Sequence, residues 1–222
     1  MAQFLYERHS TNVHLNIVKR HIRLARQIKG AEDLVTAIEP LYNELAAKAA
    51  NTTSVTGETE FKRDLLAFAD VSLDDKVRDV YEAGKKYDRD HPGIPVTNLL
   101  FPDGISPVIY APAESEPTLV EKLILGIQSL GEVHPLAEYI ASLQVAVDNS
   151  KTSIAELKAA ITEEKMAEAL ESIAKVNLTR QYALNIYAAS SKFGKAYANR
   201  LFPAINIPSK DENNDKTNSA PQ

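Results

Sequence analysis

Apolar residues recur along this chain at steps of three and four over long stretches, the spacing of an amphipathic helix. Leu15, Val18, Ile22 and Ala25 open the pattern, and Leu34, Ile38, Leu41 and Leu45 resume it. Gly30 and Pro40 fall inside this region, which predicts helix over 13–50 with a bend, or a break near Gly30. The stretch "NTTSVTGET" reads as a turn, with Thr59 placed to cap the next helix. That helix carries two apolar series: Phe61, Leu65 and Phe68, then Leu73, Val77, Val80, Gly84 and Tyr87. At roughly 100° per residue they lie on different faces. The phase changes at "DVSLDD", where Ser72 ahead of Asp74 and Asp75 resembles a fresh helix start, and so a kink.

"HPGIP" then halts the helix, because proline lacks a backbone donor and restricts the residue before it. Pro102, Pro107, Pro112 and Pro117 follow at every fifth position, which predicts an extended linker. The second half runs through the same scheme. Leu119, Leu123 and Ile127 precede Leu136, Ile140, Leu143 and Val147, with a turn expected at "DNSK". A long helical region then extends from about Ser153 to Leu201. Its phase also shifts, from Met166, Leu170 and Ile173 to Tyr182, Ile186, Ala189 and Phe193.

The two halves end alike, on "NLLFPDGISP" from Asn98 and "NRLFPAINIP" from Asn199. At the same offset Leu24, Gln27, Gly30, Tyr81 and Gly93 match Leu125, Gln128, Gly131, Tyr182 and Gly194. Helix, turn, phase-shifted helix and Phe-Pro stop in that order, twice, predict an internal duplication. A hairpin cannot bury its own apolar stripe, so the expectation is an all-α fold, an antiparallel four-helix bundle of two tandem hairpins. Its single domain covers 1–209: hairpin one at 11–101, the proline-punctuated linker at 102–117 and hairpin two at 118–203. Phe101, Pro102, Phe202 and Pro203 are read as helix stops whose rings plug the bundle's end. The remaining 210–222 are polar, without a large apolar side chain, and are expected to be disordered unless a partner holds them.

Composition narrows the chemistry. The 222 residues are 44% hydrophobic and 25% charged, with a net charge of −5 and no cysteine. No disulfide, thiolate nucleophile or cysteine-ligated metal is available, and a general nucleic-acid surface is disfavoured. No basic segment leads into an apolar run at the N-terminus, and no window reaches the length of a membrane span. The expected setting is cytoplasmic, which suits a virus-encoded assembly component equally well.

A di-metal bundle site calls for Glu-x-x-His on two helices, and no histidine here follows a glutamate at that spacing. Of the five histidines, His9, His14, His21, His91 and His134, the pair His14 and His21 lies seven residues apart and can share a face; without a carboxylate at helical spacing the two are expected at the surface or its boundary. Lys19, Arg20, Arg23, Arg26 and Lys29 crowd into eleven residues, and Lys19, Arg23 and Arg26 at i, i+4 and i+7 make a basic stripe, either a docking surface or a solvated face paired with Glu164, Glu168 and Glu171. Asn177, Gln181 and Asn185 form an amide ladder at helical spacing, expected to face solvent. Tyr187 and Tyr197 are candidates for an interface. Gly-rich phosphate loops, nucleophile elbows and His-Glu-x-x-His motifs are absent.

These readings point to a non-enzymatic structural or assembly protein. It would offer helical surfaces to copies of itself or to another protein, as a homo-oligomer or part of a larger complex, with no cofactor. The alternative is a bundle that binds a small ligand or metal. Side-chain direction separates the two: inward histidines and amides favour a ligand, outward ones favour assembly.

Overall fold

The computed structural model describes residues 2–205, so the expected tail lies outside the described residues. Among those described the chain is all helix, with no strand, and no helix is long and apolar enough to cross a membrane. The elements are α1 (Thr11–Ala25), α2 (Glu32–Asp90), α3 (Val96–Leu100), α4 (Ser106–Ile109) and α5 (Glu116–Ser129). A 3-10 turn (Pro135–Tyr139), α6 (Ile140–Phe193) and α7 (Lys195–Ala198) complete the order.

The chain divides into two compact units. Unit 1 takes residues up to Thr52 and from Ala167 onward; unit 2 is the segment Thr53–Met166. Each therefore combines the start of one half of the chain with the end of the other. In unit 1, α1 is capped by Ser10, whose side chain accepts from the Val13 amide, and buries Val18, Ile22 and Ala25. Leu34, Ile38 and Leu45 of α2 meet them, with Leu178, Tyr182, Ile186 and Ala189 of α6, and Leu201 and Phe202 complete the core. In unit 2, Leu73, Val77 and Val80 of α2 pack with Val120, Ile124 and Ile127 of α5, Leu143 and Val147 of α6, and Phe101.

Several expected breaks are not there. The chain does break at Gly30, whose φ of 89° is a left-handed value that suits glycine. From Glu32, however, α2 runs through Pro40, through "NTTSVTGET" and through Ser72 without interruption. Thr52 and Thr59 satisfy their hydroxyls on the carbonyls of Lys48 and Val55, one turn back, so they do not pull the backbone into a turn. Thr59 also reaches the Ala160 carbonyl of α6, a tertiary bond that outweighs its low helix propensity. "DNSK" is likewise inside α6, where the Thr152 hydroxyl donates to the Asp148 carbonyl and Lys151 pairs with Glu121. The proline-rich stretch is not fully extended: α4 forms a turn of helix with Pro107 at its start, where a missing amide hydrogen does no harm.

The changes of apolar phase coincide with a change of exposure along each helix. In α2 the series Leu73, Val77 and Val80 is buried, whereas Phe61 and Phe68 face solvent. In α6 Tyr182, Ile186 and Ala189 are buried, whereas Met166, Leu170 and Ile173 are exposed. Both helices carry a second apolar face.

The two halves keep the same order of a short helix, a long helix and a one-turn helix. Gly30 and Gly131 both have positive φ (89° and 100°) just ahead of the long helical region, and Gly93 and Gly194 (101° and 80°) just after it. Tyr81 meets Phe101 edge-on at 5.2 Å and 87°, and Tyr182 meets Phe202 at 5.3 Å and 87°.

Candidate functional site

The buried polar residues of unit 1 fall into two hydrogen-bonded groups, around His21 and around His14. Against expectation, His14 and His21 are fully buried on the inner face of α1, and Asn185 is buried on α6. The His21 Nδ1 lies 2.8 Å from the Leu201 carbonyl, an acceptor only, so that nitrogen carries the proton. Its Nε2 then accepts from Asn185 Nδ2 at 3.1 Å, and the same amide nitrogen donates to the Leu34 carbonyl at 2.8 Å. Gln181 donates to Asn185 Oδ1 at 3.0 Å. The ring of His21 stacks on Phe202 at 4.3 Å. Every polar atom of the His21 imidazole and the Asn185 amide is thus matched by a protein atom, which explains how they tolerate burial.

His14 is held in the same manner, with Nδ1 at 3.0 Å from the Ser10 carbonyl and Nε2 at 2.9 Å from the Thr179 hydroxyl. Burial lowers the pKa of both rings; for His14 the nearby Lys175 and His9 lower it further, against the Ser10 carbonyl. Both are neutral imidazoles at pH 7. Tyr182, beside His21, has its hydroxyl buried without a partner, and burial raises its pKa.

Unit 2 contains a contrasting, acidic site. Glu116, the first residue of α5, is 1% exposed. Burial, reinforced by Asp70 and Asp74 of α2, pushes its pKa up to about 8, so it holds a proton at neutral pH. The pKa of Asp74 is raised too, by burial, against the pull of Glu116 and Arg78. Arg78 binds Asp74 at 3.3 Å. No group of acids or histidines among the described residues is arranged to hold a metal ion. Elsewhere in unit 2 a cleft of about 550 Å³ opens beside the first Phe-Pro stop, between Leu100, Phe101, Val108, Leu119 and Lys122.

The outward face of α6 in unit 1 is apolar. Leu170 (44% exposed), Ile173 (58%), Leu184 (52%) and Tyr187 (63%) line it, with Asn177 and Arg180 exposed between them. Of the amide ladder, then, Asn177 points out, Gln181 is half-buried and Asn185 points in. Tyr187 has the Phe4 ring 5.8 Å away, and Tyr197 is flanked by the tilted ring of Phe193 and the guanidinium of Arg200, each 5.7 Å away.

Lys19, Arg20, Arg23 and Arg26 are all exposed on α1. Arg26 pairs with Glu39 and not with the α6 glutamates; Glu171 instead accepts from the Thr11 hydroxyl. Phe101, Phe202 and Pro203 are buried, and Pro102 is exposed.

The chain matches no family model, no curated protein and no solved structure. Glu116 was missed by sequence reasoning because its partners Asp70 and Asp74 lie over 40 positions away on another helix, and no local motif joins them.

Proposed function

We propose that this is a non-enzymatic assembly protein that self-associates through outward helical faces. The observation that carries the reading is the apolar face of α6 from Leu170 to Tyr187, exposed on the side opposite a complete core. Exposed apolar patches rimmed by polar residues mark interaction sites. Helix formation does not demand this one. At the matching positions of the first half, 101 residues earlier, stand Ala69, Ser72, Lys76, Asp79, Ala83 and Lys86, which are small or charged.

The finer architecture belongs to the same reading. We take the halves to be tandem copies of one hairpin in a four-helix arrangement, supported by the paired glycines and by the matching Tyr–Phe geometry. Inward His14, His21 and Asn185 give less support to a ligand-binding core than their direction suggests, because protein atoms already occupy them.

The test is native mass spectrometry with sedimentation velocity on the intact chain. A defined multimer is expected, and Ile173→Lys with Leu184→Lys should return it to monomer with unchanged helical circular dichroism. A monomer at all concentrations would sink the reading. A second reading, a small-ligand-binding bundle, is favoured by the cleft beside Phe101, whose size suits a small molecule. A bound mass that survives gentle ionisation and is lost in Leu119→Trp would support it.

A further inference from the structure

We infer that the partner on the α6 face is a second copy of this chain, docked with its α6 antiparallel so that Asn177 of each copy faces Arg180 of the other. The inference rests on the self-association reading and deepens it. The exposed positions Leu170, Ile173, Asn177, Arg180, Leu184 and Tyr187 alternate steps of three and four. That is the seam of a two-stranded coiled coil, in which a lone polar position selects register and orientation.

Two identical helices can meet along such a seam in parallel or antiparallel. In parallel, every residue meets its own copy, and Arg180 would face Arg180 inside the contact. Among the described residues Arg180 has no ion pair to neutralise it. Turned antiparallel about a twofold axis between Leu178 and Thr179, the same seam pairs without conflict. Leu170 meets Tyr187, Ile173 meets Leu184, and Asn177 Oδ1 can accept from the guanidinium of Arg180, each pair occurring twice.

The other ionised side chains of this stretch stand clear of the seam: Glu171 accepts from the Thr11 hydroxyl and Lys192 pairs with Asp33. Ala169, Ala183 and Ala188 flank the seam, and side chains this small let two helices approach closely. The seam runs roughly 26 Å, about five helical turns.

Because the chain has no cysteine, single-cysteine variants report the pairing directly. Ile173→Cys and Leu184→Cys, both at exposed positions, are mixed and oxidised, and the dimer is also followed by sedimentation. The expected product is a disulfide-linked pair holding one chain of each variant, with little product from either alone. Two copies of position 173 would be roughly 16 Å apart along the axis, beyond the reach of a disulfide. Efficient cross-linking of Ile173→Cys with itself would overturn the antiparallel order while leaving self-association standing. A dimer by sedimentation without any cross-link would place the contact elsewhere and overturn the proposal. A monomer in every sample would overturn the assembly reading beneath it. As an independent check, Asn177→Glu should tighten the dimer about fivefold by creating two half-exposed ion pairs with Arg180. In a parallel seam it would set Glu against Glu and weaken it.

Discussion

Replacing Glu116 by glutamine should make the protein less sensitive to alkali. Glu116 is buried with its pKa raised from 4.5 to about 8. A carboxyl with a raised folded-state pKa binds its proton more tightly folded than unfolded. Its contribution is therefore fully present below pH 4.5 and is lost as pH climbs towards 8. The slope is about 1.4 kcal/mol per pH unit until the folded carboxyl itself ionises. Between pH 6.5 and 8.0 two units of penalty grow to roughly three and a half, less a few tenths for ionisation at its midpoint. This carboxyl's share of the change over that interval is on the order of 1–2 kcal/mol. The comparison with the variant isolates this carboxyl, because the histidines, whose unfolded forms are still partly protonated at pH 6.5, contribute equally to both proteins. Glutamine keeps the size and hydrogen-bonding capacity of the protonated acid and does not titrate. Urea unfolding followed by circular dichroism at pH 6.5 and 8.0 should show stability changing less favourably in the wild type than in Glu116→Gln, by on the order of 1–2 kcal/mol. Equal losses in both proteins would refute the argument.

Other expectations follow from the same structure. In the Glu116→Gln background, stability should fall as pH drops below 6.5, because His9, His14 and His21 have lowered folded-state pKa values and the unfolded chain protonates first; a flat profile from pH 6.5 to 5 would contradict it. Asn185→Leu leaves His21 Nε2 and the Leu34 carbonyl without their donor and should cost about 2–3 kcal/mol in a denaturant titration. Gly57→Ala, inside α2 with open space around it, should stabilise by up to about 1 kcal/mol. Gly131→Ala, at φ 100°, should destabilise by about 1–2 kcal/mol, and opposite signs for the pair would be read in one thermal-melt series.

The helical periodicity of Leu34, Ile38 and Leu45, or of Leu73, Val77 and Val80, was legible because a core-facing stripe is written locally in the sequence. What misled was the assumption that every apolar series faces inward. Once Phe68 and Ile173 are taken as inward, a second phase demands a bend; as exposed residues they need none. "NTTSVTGET" has the composition of a turn, and only the bond from Thr59 to Ala160, across 101 positions, reveals why it stays helical. The histidines were misplaced for a related reason. A buried imidazole is tolerated when both nitrogens find partners, and those of His21 come from Leu201 and Asn185, far along the chain. Glu116 gave no local signal at all.

The two units also differ in how they can be made during synthesis. Unit 2 is one unbroken segment, Thr53–Met166, and all of it has left the ribosome before unit 1 is complete. Residues up to Thr52 emerge first, yet the α6 residues that cover Val18, Ile22 and Ile38 are made more than 110 positions later. At a usual rate of about 5–20 residues per second that interval lasts several seconds. For that time α1 presents part of its apolar stripe to solvent or to a chaperone, and its closure must wait until Leu178, Tyr182 and Ile186 have been made.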